Sequence, residues 1–281
     1  MTELLAQLVT WINVPVNVLG KALFGFIAVV PGWLSNTIIS AVAGVVLLVI
    51  FKYTSNQRAI GKVRDDIKAH MLALKLFKDS ISVTLRAQGR IFRGAFLLLF
   101  YSIRPMLFMI VPVVLLLSQL GLWYQSRPLL RKEEALVTMK LSGQADTALP
   151  DVGVEEANAF EIVTGPVRVA AKREVVWQMK ALEEGEHTMR FRIGEAQVEK
   201  EFVVGEGFNQ LSTKRPGWKW TEILMHPKEE PFGPDSPVQS ISIDYPDRSS
   251  WTSGTDWWVV YFFIASMVFA LLFKPVFKVR I

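Results

Sequence analysis

TIISAVAGVVLLVIF, residues 37–51, carries no charged side chain, and Lys52-Tyr53 follow it at once. With Trp33-Leu34 ahead of it, the run approaches the ~20 residues a helix needs to cross a bilayer. Ser35-Asn36 offers an N-cap at its start. The stretch reads as a membrane span, and the charges beside it give it a direction. From Lys52 to Arg93, ten Lys/Arg stand against three acids, Asp65, Asp66 and Asp79. Basic segments beside spans are retained in the cytoplasm, so the first span runs inward.

Working outward, the same rule orders the rest of the chain. Residues 94–124 are apolar for longer than one crossing requires, and Arg104-Pro105 divides them. Proline disfavours helical geometry in the residue before it, which predicts a kink or break there. The span proper is then Met106–Trp123, with Ala95–Ile103 as an interfacial helix. Residues 125–255 hold sixteen Lys/Arg against twenty-one Asp/Glu and are placed outside. A third run, WWVVYFFIASMVFALLF (Trp257–Phe273), ends in Lys274, Lys278 and Arg280 and returns inward.

The N-terminal 4–31 region is apolar but contains Pro15 and Lys21, and no Lys or Arg precedes it. An uncleaved interfacial or re-entrant helix on the outer face fits this pattern, and an additional span is the competing reading. Between Asn56 and Arg93, Ile60, Val63, Ile67, Met71 and Leu74 recur at helical spacing. Asp79 or Ser80 can cap a second helix, giving a coiled-coil-like helical hairpin, with one curved amphipathic helix as the alternative. Short strands with turn signals at Gly165-Pro166, Gly185 and Gly194 fill the external segment, with Trp177 as core aromatic. Gly205-Glu206-Gly207 reads as a further hairpin turn, and Pro227–Pro237 as a loop.

The expected fold class is therefore an α-helical membrane protein with three spans and a cytoplasmic helical hairpin, carrying an inserted all-β immunoglobulin-like sandwich. Its segments are 1–33 (interfacial or re-entrant), 34–53 (first span), 54–93 (basic hairpin), 94–124 (interfacial helix and second span), 125–255 (periplasmic β-sandwich) and 256–281 (third span and basic tail). An external domain without cysteine suits a bacterial periplasm, hence a multi-pass protein of the bacterial inner membrane.

No catalytic, cofactor-binding or metal-ligating constellation is legible. His70, His187 and His226 have no ligand spacing, and Glu183-Glu184 with Glu186 reads as a solvated turn. The expectation is a protein without enzymatic activity or cofactor. The net charge of +5 averages a basic and an acidic segment, so it does not point to DNA. The basic hairpin face comprises Arg58, Lys62, Arg64, Lys68, Lys75, Lys78, Arg86, Arg90 and Arg93. Cytoplasmic retention and attraction to anionic lipid account for it, and contact with ribosomal RNA or an emerging chain is the functional alternative. Arg104, a charge at the edge of a span, either snorkels to phosphates or faces a hydrated groove. Asn36, Thr37, Ser40, Ser102, Ser118, Gln119 and Ser266 are the polar residues that could line such a groove.

This layout resembles the YidC/Oxa/Alb insertase superfamily, which includes the third subunit of the endoplasmic reticulum membrane protein complex and related three-span proteins. The matching parts are Asn36–Phe51, Asn56–Arg93, RPMLFMIVPVVLLLSQLGLWY (104–124, with Pro105 and Pro112) and Trp257–Phe273. The resemblance implies an insertase or assembly chaperone in which a groove charge, here Arg104, receives a polar segment and the hairpin meets the client. Implied partners are the lipid bilayer and nascent or client membrane proteins. A membrane-anchored structural subunit, whose sandwich binds a periplasmic protein, is the other reading.

Overall fold

The computed structural model describes residues 2–77, 80–143 and 148–279. Two compact units emerge, Met1–Asn36 with Leu115–Tyr261, and Thr37–Val114 with Phe262–Ile281. Four helices are long and apolar enough to cross a membrane: Thr2–Ala28, Gly32–Thr54, Ile81–Tyr124 and Trp258–Phe277.

The first unit contains antiparallel β-structure. Its eight strands are β1 (Glu134–Leu141), β2 (Val152–Val154), β3 (Phe160–Val169), β4 (Glu174–Ala181), β5 (Gly185–Ile193), β6 (Ala196–Val204), β7 (Lys214–Arg215) and β8 (Val238–Ile243). One sheet has the order β3-β4-β1-β8-β7 and the other β2-β5-β6. In β4 every second residue is buried, Val175, Trp177, Met179 and Ala181, the period that a strand with one face on a core must show. Trp177 meets Phe191 of β5 with ring centroids 5.4 Å apart, and Phe160 meets Phe202 of β6 at 5.7 Å. A single apolar cluster thus draws on both sheets.

The strand order corrects part of the sequence reading. An immunoglobulin sheet places the first strand beside the second, whereas here β1 lies between β4 and β8. The turn expected at Gly165-Pro166 does not end a strand: residues 160–169 form one bulged strand, β3. The segment at Gly205–Gly207 is not a hairpin turn: the next strand, β7, pairs with β8 in the other sheet. Leu211, whose N–H donates to the Leu122 carbonyl (2.7 Å), draws the chain away from β6.

Two helices complete this unit. Helix α1 (Thr2–Phe24) continues through Pro15, because one missing N–H removes only one of its many ladder bonds. A 3-10 turn (Gly25–Ala28) follows. A short helix (Trp220–Met225), in a segment where the sequence reading expects only strands and loops, packs its Ile223 against Ala6 and Val9 of α1.

In the second unit, α2 (Gly32–Thr54) supplies its residues from Thr37 onward, α3 (Gln57–Leu76) is capped by the Asn56 side chain, and α4 (Ile81–Tyr124) contributes its residues up to Val114. Of the kink or break expected at Arg104-Pro105, the break does not occur: α4 is continuous over 44 residues. Apolar spans tolerate proline where neighbouring groups reabsorb the freed carbonyl. At 1.5 Å per residue α4 is about 66 Å long, over twice the ~30 Å hydrocarbon layer. A single crossing therefore leaves roughly half of it beyond the hydrocarbon. α3 lies along that half, since a Cβ on Gly94 would come within 2.6 Å of Ile67. The two helices form the hairpin that the spacing predicts. The short Trp220–Met225 helix is α5, and α6 (Trp258–Phe277) follows. α2 and α6 approach closely, because a Cβ on Gly44 would sit 2.2 Å from the Ser266 carbonyl oxygen.

Candidate functional site

The hairpin displays its charge as its periodicity demands. Ile60 and Gly61 are buried, and Ala87 faces inward on α4. Arg58, Lys62, Lys68, Lys75, Arg86, Arg90 and Arg93 are exposed, and Arg64 is half-buried. Lys78 and Asp79, the remaining basic residue and the expected cap, lie outside the described residues, as does Arg280. The hairpin end also exposes Met71, Leu72, Leu76, Phe77, Ile81 and Leu85. Apolar side chains framed by cations suit a surface that is both greasy and anionic.

The polar residues read as groove lining divide between the two units. In the second unit Arg104 is exposed on α4, and the Ser102 hydroxyl donates back to the Leu98 carbonyl at 2.9 Å. Ser40 and Ser266 are buried, and the Ser266 hydroxyl donates to the Phe263 carbonyl at 3.0 Å. Thr37 is half-buried. Hydroxyls bonded to their own helix and buried beside small residues serve close helix packing.

In the first unit the same class of residue builds a collar. The Asn36 amide donates to the carbonyls of Thr252 (2.6 Å) and Trp258 (3.2 Å). Ser35 and Tyr124 hydroxyls meet at 2.8 Å. Tyr124 also packs on Phe208 and Trp258, and the Arg248 guanidinium stacks 3.8 Å from the Phe208 ring centre. Burial lowers the Arg248 pKa to about 10. The Gln119 amide donates to Asn17 Oδ1 (2.7 Å), while the Ser118 hydroxyl returns to the Leu115 carbonyl (2.9 Å). Asn36 therefore holds the start of α2 to the 252–258 segment, and Gln119 holds the end of α4 to α1.

Sequence reasoning missed a buried charge. Lys200, fully buried on β6, donates to Glu229 (2.5 Å), the Ser212 carbonyl (2.6 Å) and the Glu201 carbonyl (2.9 Å). Ser212 also donates to Glu229. Burial lowers the Lys200 pKa, while Glu229 pulls it back up. The signal lay in the strand period: Lys200 occupies the same parity as Val198, Phe202 and Val204. Although a Ser beside a Lys is a nucleophile–base pairing in some hydrolases, this lysine is sealed from solvent and committed to a carboxylate. The cluster instead ties the 227–231 segment to β6.

The three histidines stay apart. His187 shares a hydrogen bond with the Glu183 carbonyl (3.0 Å) and stacks on Phe202. His226 ends α5, where burial, aided by Lys214 and opposed by Glu222, lowers its pKa to about 4. His70 is half-buried on α3. Among the described residues no group of three or more His, Asp or Glu side chains could hold a metal ion.

A cleft of about 840 Å³ opens between β2 and β3, floored by Phe160, Ile162 and Trp177 and rimmed by Glu155, Glu156 and Glu161. Both strands are sheet edges.

No family model, curated protein or solved structure matches this chain.

Proposed function

We propose that the protein is an inner-membrane insertase or assembly chaperone of the YidC/Oxa type, working without cofactor or covalent chemistry. The observation that carries this reading is the hairpin of α3 and α4, a basic, apolar-ended projection built on a helix that continues as a span. A segment entering the membrane is apolar and is flanked by polar residues. The hairpin offers matching apolar side chains at its end and cations along its face. In this reading Arg104 supplies the positive charge met by the polar part of a client.

The direct experiment places a photo-crosslinker at Leu76 or Ile81 during synthesis of model membrane proteins. Crosslinks to nascent apolar segments are expected, and they should fall when Arg58, Lys62 and Lys68 are replaced together by Gln. Adducts to lipid alone, with normal membrane-protein insertion in depleted cells, would overturn the proposal.

A second reading rests on the cleft between β2 and β3. An anchored structural subunit would accept an extended partner segment against an open sheet edge, and the acidic rim favours a basic one. Crosslinking from Glu156 to a periplasmic protein, with none from the hairpin, would favour this reading.

A further inference from the structure

Helix α1 has two opposed faces, and its surroundings decide where it lies. On one face Ala6 and Val9 form an apolar cluster with Ile223, joined by Trp218 and Leu224. The Asn13 amide donates to the Ile223 carbonyl (2.9 Å) and the Asn17 amide to the Pro227 carbonyl (2.7 Å). Residues 6 to 17 cover about 16 Å of helix at 1.5 Å per residue, and over that length α1 follows the 218–227 segment. That segment is charged: Glu222 is paired with Lys214 at 2.8 Å, and Lys219 is exposed beside it.

If α1 crossed the bilayer, Asn13 would lie near the midplane and bring this ion-paired segment into hydrocarbon. Charged side chains there cost several kcal/mol each. The chain that meets α1 further along the same face gives the same level. Asn17 is bonded to Gln119, five residues before the end of α4, and Ser35 is bonded to Tyr124 at that end.

The opposite face is apolar and open. Leu4, Leu8, Trp11 and Val18 are 71%, 56%, 74% and 68% exposed. At 100° per residue these four fall on one stripe, turned away from Ala6, Val9 and Asn13. α1 then passes through the 3-10 turn and Pro31 directly into α2, a helix of spanning length.

We infer that α1 is a monotopic helix lying in the leaflet on the side of the β domain. Its Leu4-Leu8-Trp11-Val18 stripe sits among acyl chains, and its other face is clamped by α5 and the 223–227 segment. Spanning helices then number three, and the β domain is pinned to the membrane surface instead of swinging on its linkers. Trp11, at the centre of the stripe, is the residue type that bilayer interfaces favour.

The chain has no cysteine, so single cysteines at Leu4, Trp11 and Val18 can carry an environment-sensitive fluorophore in the full-length protein in proteoliposomes. Lipids brominated at different acyl depths then report the position of each label. The expected result is quenching of all three by shallow bromines, with the same depth optimum. A depth that changes progressively from position 4 to position 18 means that α1 spans and overturns the inference. Absence of quenching at all three overturns it as well, because the stripe is then covered by protein or water. Failure of the hairpin crosslinking described above would leave this result untouched.

Discussion

Lys200 shows how much one residue in an unexpected register can organise. Its ammonium has no exposure and three strong acceptors around it, and Glu229, the only carboxylate among them, comes from the strap that follows α5. Removing one member of a buried pair strands the other, at a cost of about 3–5 kcal/mol, whereas removing both is far cheaper. Glu229→Met and Lys200→Met should each lower stability by about that much in urea unfolding. The double variant should lose clearly less than the sum, and strictly additive losses would show that the pair is not coupled. His226, at the start of the same strap, sets a pH dependence. Its native pKa of about 4 lies below the ordinary 6.5, so the unfolded chain binds more protons between those values. Stability is then full above pH 6.5 and falls as pH drops toward 4. Because the ring is partly solvated, the loss should be about 1–2 kcal/mol. Replacement of His226 by Gln should flatten the stability–pH curve between pH 6.5 and 4, a change readable by thermal unfolding. Neither residue stood out in the sequence. A lone Lys between acids reads as surface, and only the pairing of Val198, Phe202 and Val204 on one strand face marks position 200 as internal.

At the scale of elements, periodicity was a good guide and proline a poor one. The spacing of Ile60, Val63, Ile67 and Leu74 places α3, and the turn signals at Gly185 and Gly194 mark the two ends of β5. Pro105 allows a break that the chain does not make, because it removes a single backbone donor from a long helix. Strand order escapes the sequence for a different reason: alternation says which face is buried and not which strand is next. The close contact of α2 with α6 was likewise hidden, since a glycine in an apolar run has many uses. It can be tested directly. Gly44→Val would place its Cβ 2.2 Å from the Ser266 carbonyl oxygen, a backbone atom that cannot move without shifting α6. The full-length variant in detergent should melt several degrees lower by circular dichroism. Gly89→Val, where nothing lies within 4 Å of the added Cβ, serves as the control and should change little. Equal melting of both variants would show that the helices do not pack at Gly44.

At the scale of the whole molecule, charge distribution carries the most information. Ten cations against three acids in residues 52–93, and sixteen against twenty-one in 125–255, predict under the positive-inside rule that the hairpin is cytoplasmic and the β domain is not. Helix length agrees, since α2, α4 and α6 each suffice for a crossing and α4 has roughly a hairpin's length to spare. The polar groove residues, by contrast, were chosen for chemistry alone. Asn36 turned out to bond Thr252 and Gln119 to bond Asn17 of α1, which no local pattern could have announced, because these partners lie 216 and 102 residues away in the chain. The topology itself is open to a direct measurement. Ser82 on the hairpin and Glu184 on the β4–β5 turn are both exposed, and a cysteine at either would be the only thiol in the chain. In cells with a permeabilised outer membrane and an intact inner one, a membrane-impermeant maleimide should label position 184 and leave position 82 unlabelled. Lysis of the inner membrane should then expose position 82. Labelling at 82 before lysis would invert or abolish the assignment. It would also remove the hairpin from the compartment in which nascent chains emerge, so the insertase proposal would fall with it.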